Sequence, residues 1–235
     1  MNQKTNRSFS MIRALTIAFC LLLPLSGLAQ PFLPGTPQPG TDYEVLPVAQ
    51  ATYGKGKIEV AEVFSYGCIH CFHFQPLVNT WKKTMPADVR WEYVPAAFGG
   101  PHDNLGRAFL AAQILGVQQK THDAVFKAVF TDHMIKTASP EELADMYAKL
   151  GVNRAKFLST MEGDAVTAKF AYARDFALRT GITGTPTIVV NGKYRVSGNT
   201  PGGLEAIFKT VDFLLARERE QAGPPAKTGK SAAKK

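Results

Sequence analysis

Apolar and polar residues alternate with period two from Lys57 to Phe64 (KIEVAEVF), so that Ile58, Val60, Glu62 and Phe64 share one face of a strand. The other face carries Ala61 and Val63. A strand apolar on both sides belongs in the middle of a sheet covered on both sides, and Glu62 is the anomaly on its face. A helical segment is expected from Cys71 to about Thr84, with a kink at Pro76. Val89 to Val94 (VRWEYV) reads as a second strand. From about His102 to Thr180 helix follows helix with no convincing strand. The clearest runs from Ser139 to Leu150: Ser139 caps it, Pro140 fits its first turn, and Glu142 completes a capping box. Leu143, Met146, Tyr147 and Leu150 form its core stripe, which ends at Gly151. Beyond Thr180 the β pattern returns, with PTIVV and KYRV separated by Asn191-Gly192, a type I′ hairpin signal. A final amphipathic helix spans about Gly202 to Arg217. This order predicts an α/β fold, a small sheet with an all-helical insertion.

The ends differ in character. The first 29 residues carry Lys4, Arg7 and Arg13 but no acid, then an apolar run from Ala14 to Leu25 and a small-residue site at Gly27-Leu28-Ala29. This is the pattern of an export signal cleaved near Ala29; the run is too short for a membrane span and Pro24 interrupts it. Residues 30–41 are dense in Pro and Gly and read as a flexible leader. Residues 218–235 read as a disordered basic tail. Between them lie the first sheet segment (42–101), the helical insertion (102–180) and the second sheet segment (181–217).

The 235 residues carry a formal charge of +8, but most of it sits at the ends. Removing residues 1–29 and 217–235 leaves 18 basic against 17 acidic residues. That body holds no reserve for neutralising a phosphate backbone, and nucleic acid is excluded as a partner.

Of three cysteines, Cys20 leaves with the signal. The other two form Cys68-Ile69-His70-Cys71, at the end of the buried strand and the start of a helix. A helix N-terminus presents unpartnered N–H groups and partial positive charge, both of which favour a thiolate. Three other readings compete with redox chemistry. A zinc site needs two more ligands, for which His70 and His73 are the candidates. Covalent haem needs His directly after the second cysteine, where Phe72 stands. A purely structural disulfide removes little unfolded-state entropy from so short a loop. His73, His102, His122 and His133 follow no ligand spacing and read as surface or helix-end residues.

The run EVFSYGCIHCFHF, with GTPTIVVNGKY far downstream, resembles the DsbA family of periplasmic thiol:disulfide oxidoreductases over about Asp42 to Ala216. The resemblance implies a thioredoxin fold with an inserted all-helical domain. It also implies a protein that oxidises cysteines of newly exported proteins in the periplasm of a Gram-negative bacterium. By the same likeness Cys68 is the nucleophile and Cys71 the buried resolving cysteine, His70 supports the thiolate, and Glu62 accepts protons near the resolving thiol. Pro186 is the cis-proline facing the disulfide, and Ile69 and Thr185 join it in meeting substrate. Two positions depart from the best-known relatives: Ile69 replaces Pro within the motif, and Gln75 stands where an acidic residue is usual.

On this reading the redox-active Cys68–Cys71 disulfide serves without metal or organic cofactor. Its partners are unfolded exported proteins with free cysteines and a DsbB-like inner-membrane quinone reductase that reoxidises a monomeric enzyme. A reductase or isomerase on the same fold is the enzymatic alternative. A binding protein or export chaperone with a structural disulfide is the non-enzymatic one.

Overall fold

A computed structural model of the chain describes residues 35–222. The expected signal peptide, residues 30–34 of the leader and residues 223–235 of the tail lie outside them. Among the described residues the element order is β1 (Glu44–Val45), β2 (Ile58–Phe64), α1 (Ile69–Lys82), β3 (Val89–Pro95), α2 (Pro101–Ile114), α3 (Gln118–Phe130), α4 (Pro140–Lys149), α5 (Arg154–Glu162), α6 (Asp164–Arg179), β4 (Thr187–Val190), β5 (Tyr194–Ser197) and α7 (Gly203–Ala222). The five strands form one sheet in the order β1-β5-β4-β2-β3. Strand β2 runs parallel to β3, with Glu62 opposite Tyr93, and antiparallel to β4, with Glu62 opposite Ile188.

The sheet is covered on both faces, as the two-sided apolar pattern of β2 requires. Val60 and Phe64 point into the larger core with Phe74, Val78, Phe109 and Phe126. Ala61 and Val63 point the other way, into a smaller core with Val94, Val189, Ala173 and Phe176. Ala173 and Phe176 belong to α6. The helical block is therefore not wholly an insertion, since its last helix turns back to cover the sheet.

Local chemistry explains most boundaries. Pro76 lies within α1 without ending it. The hairpin turns at Asn191 and Gly192, both with positive φ (48° and 65°) as a type I′ turn demands. Only glycine fits the second position, because a Cβ there would lie 2.1 Å from the Gln50 carbonyl oxygen. At α4 the Ser139 hydroxyl accepts from the Glu142 N–H as expected. The Glu142 carboxylate does not complete the box; it accepts instead from the N–H groups of Lys136, Thr137 and Ala138. Leu143, Met146 and Tyr147 are buried, while Leu150 is exposed at the helix end.

Within the expected flexible leader, residues 35–41 make local contacts: Asp42 Oδ2 accepts from the Gln38 N–H at 2.7 Å, and Pro39 bridges to Tyr43. Two further expectations fail. Helix α7 continues past Arg217 to Ala222, and its Glu218 is buried, accepting from Lys193 Nζ at 2.8 Å and from the Asn191 side-chain amide. His122 is not a surface residue; it is buried in the core.

Candidate active site

The strand-to-helix junction is built from short-range bonds. The Cys68 N–H donates to the Ser65 carbonyl at 3.0 Å, and the Gly67 N–H donates to Ser65 Oγ at 3.1 Å. Ser65 Oγ also shares a hydrogen bond with His102 Nδ1 at 2.9 Å, which ties the loop to the start of α2. Cys68 is the N-cap residue of α1, with extended backbone and no side-chain cap bond. Its sulfur thus lies where the first-turn N–H groups lack helical partners.

Both cysteines are free thiols in this structure, and their surroundings differ. Cys71 is fully buried, whereas Cys68 is partly exposed. A hydrogen bond with the Cys71 thiol lowers the Cys68 pKa to about 5, opposed by burial and aided by the Thr185 side chain and the backbone N–H groups of Cys71 and His70. Thr185 also acts the other way, since its carbonyl accepts from the Cys68 thiol at 3.2 Å, a bond that only the neutral form can make. The charge-stabilising donors outnumber that one acceptor, so the thiolate is favoured. Burial pushes the Cys71 thiol well above its ordinary value, and the bond to Cys68 and the charge of Glu62 push it further.

Glu62 is fully buried. Desolvation raises its pKa to about 8, against hydrogen bonding from Gln75 and the charge of Lys82. Gln75 Nε2 lies 3.4 Å from each Glu62 oxygen, and Gln75 Oε1 accepts from Tyr93 Oη at 3.1 Å.

The Thr185-Pro186 peptide bond is cis, and both residues line a cleft of about 470 Å³ that also takes in His70, Thr183, Asn199 and Leu204. The His70 ring is exposed, and so is Ile69, at 40%. The structure therefore brings Cys68, Ile69, His70, Cys71, Thr185 and Pro186 together across more than a hundred residues of sequence, with Glu62 behind Cys71. Among the described residues no group of three His, Cys, Asp or Glu side chains is placed to hold a metal ion. Ser65 and Tyr93 have no assigned role in the sequence pattern, and His102 and His122 read there only as surface or helix-end residues. Ser65 had a signal in its place two residues before Gly67-Cys68; the others meet the site only through tertiary contacts.

Residues 59–202 match the DSBA-like thioredoxin domain. The chain is 43% identical over 177 residues to the thiol:disulfide interchange protein DsbA of Pseudomonas aeruginosa, spanning 75% of this chain and 82% of that one. It is 36% identical to the protein of the same name from Azotobacter vinelandii, over 89% of this chain and 97% of that one. The crystal structure of the oxidoreductase DsbA from Xylella fastidiosa superposes with a TM-score of 0.74 at 40% identity, covering 78% of this chain and 98% of that one. With a partly exposed cysteine at a helix N-terminus, a buried partner thiol three residues on and a cis-proline lining the cleft, the chain belongs to the DsbA family of thiol:disulfide oxidoreductases.

Proposed function

We propose that this oxidoreductase works as a dithiol oxidase, giving its Cys68–Cys71 disulfide to exported proteins in the periplasm. A substrate thiolate attacks Cys68 Sγ, a new S–S bond forms, and the electron pair of the broken bond goes to Cys71 Sγ, which takes up a proton. Glu62, protonated and buried behind it, is the donor. A second substrate thiolate then attacks the substrate sulfur of the mixed disulfide and expels Cys68 as thiolate. The substrate loses two electrons and the cysteine pair gains them. A quinone-linked membrane oxidase of the DsbB kind restores the disulfide, and the enzyme acts as a monomer without metal or organic cofactor.

The observation that carries this reading is the asymmetry of the pair. Cys68 is accessible and favours the thiolate, so it is both the sulfur that can be attacked and the better leaving group. Cys71 is buried and favours the thiol. The exposed His70 ring, Ile69 and the cleft beside Thr185 and Pro186 provide a wall for an extended substrate segment. The equilibrium of the Cys68/Cys71 pair with glutathione tests the direction of electron flow. A pair largely reduced at equal thiol and disulfide supports the oxidase, and one that stays oxidised assigns a reductase role.

A further inference from the structure

The buried polar groups behind the cysteines form a chain that begins at Glu62 and ends in the helical block. Gln75 Oε1 accepts from Tyr93 Oη at 3.1 Å and from His122 Nε2 at 3.2 Å, and His122 Nδ1 meets Tyr66 Oη at 2.8 Å. Glu62, Gln75, His122, Tyr66 and Tyr93 are all buried. The His122 ring is enclosed by Phe64, Phe109 and Phe126 as well as the two tyrosines, with centroids 4.3 to 6.0 Å away. In such a cage an imidazole stays neutral, with one nitrogen a donor and the other an acceptor. With Nδ1 accepting from Tyr66, Nε2 carries the proton, and its acceptor among the described residues is Gln75 Oε1.

Two donors on one side of the Gln75 amide leave its NH2 group facing the other way, toward both oxygens of Glu62. We propose that His122 is a positioning residue of the redox site, holding the Gln75 amide so that it donates to the Glu62 carboxylate. The helical block thereby sets how readily the buried acid gives up and takes back its proton. This rests on the reading of Glu62 as the proton donor to Cys71. The other groups that act on Glu62 are Cys68 and Cys71 at the start of α1, Lys82 near the end of that helix and Tyr93 from β3. Its neighbour on β4 is the apolar Ile188. Asp123, next to His122, acts on Lys82 and Tyr93. None of these substitutes for the donor that Gln75 supplies.

The test is the protonation midpoint of Glu62, read by carboxyl carbon NMR of the reduced full chain and assigned with Glu62→Gln. His122→Phe keeps the packing of the cage and removes the donor. The midpoint is expected to rise by about half a unit to one unit, a threefold to tenfold change in the protonation equilibrium. His122→Gln restores an N–H donor and is expected to recover part of the shift, and Tyr93→Phe, which removes the other donor, to give a smaller rise. An unmoved midpoint in a folded His122→Phe protein overturns the proposal. Should that variant not fold, the imidazole nitrogen shifts of His122 in the unaltered protein decide the matter: protonation at Nε2 supports the arrangement, and protonation at Nδ1 overturns it. The underlying reading has its own test, because Glu62→Gln that leaves the exchange rate unchanged across pH removes Glu62 from the reaction whatever His122 does.

Discussion

The thiol of Cys68 donates to the backbone carbonyl of Thr185 at 3.2 Å, joining the start of the first long helix to a residue 117 positions later in the chain. This contact puts the attackable sulfur against the cleft wall. On the proposed function, a substrate segment lying along residues 183–187 is expected to bring its sulfur to Cys68 and not to the buried Cys71.

Cys71→Ala is therefore expected to accumulate mixed disulfides with substrate proteins through Cys68, because the thiol that expels a bound substrate is gone. Cys68→Ala is expected to form almost none, since Cys71 is inaccessible. Non-reducing electrophoresis followed by mass spectrometry of the adduct identifies the cysteine involved. Capture through Cys71 contradicts the assignment of the nucleophile.

The stability of the reduced form is expected to rise with pH relative to the oxidised form. Cys68 has a folded pKa of about 5, against about 8.5 in an unfolded chain. A depressed pKa contributes stability that is fully present above the unfolded value and is lost as pH falls through the folded one. At pH 7 the two-unit gap corresponds to at most about 3 kcal/mol, and solvent screening of the partly exposed sulfur trims this to about 2. Closing so short a disulfide loop stabilises by about 2 kcal/mol. The two forms are thus expected to be nearly equal at neutral pH, with the oxidised form ahead in acid and the reduced form gaining toward about pH 8. Thermal midpoints of both forms across that range check it; a difference that does not vary with pH refutes it.

Glu62→Gln is expected to slow exchange while stabilising the fold. Burial raises the Glu62 pKa to about 8, so from its unfolded value upward the native state must either hold a proton that the unfolded chain releases or bury a charge. Both oppose folding. The gain on substitution is on the order of 2 kcal/mol at neutral pH and vanishes below the unfolded carboxylate pKa of about 4.3. Urea unfolding at pH 7 and at low pH measures it. A variant less stable than its parent at pH 7 shows that the carboxylate makes a net stabilising contact.

Glu218→Ala is expected to destabilise by about 1 to 3 kcal/mol without changing the thiol chemistry. Its carboxylate accepts from Lys193 and from the side chain of Asn191, whose own N–H donates to the Glu59 carbonyl at 2.7 Å. Loss of Glu218 leaves the hairpin turn without its anchor to α7. Denaturant midpoints and exchange rates measured side by side separate the two effects.

What could be read along the chain was what neighbouring residues decide between themselves. The buried strand, the cysteine pair at its junction with a helix, the Ser139 cap and the Asn191-Gly192 turn are local patterns with local causes. Glu62 was visible for the same reason, as a charge on a face where its neighbours are apolar. Glu59 was not: it lies on the opposite face, fully buried, held by the N–H groups of Tyr53 and Gly54 and by Arg90, none of which a two-residue period reveals.

The amino-acid sequence by itself determined the element types, the two-sided sheet and the cysteine pair at the strand-to-helix junction, because helix termini, turn conformations and strand alternation are set within a few residues. The tertiary structure alone decided that His122 is a core donor and not a surface residue, that α6 covers the sheet, and that α7 runs through Glu218. For His122 and Glu218, a polar residue in a helical segment has the same local signature in solvent as in the core. Only the partner brought to it from another element, Gln75 for His122 and Lys193 for Glu218, supplies the hydrogen bonds that make its burial affordable.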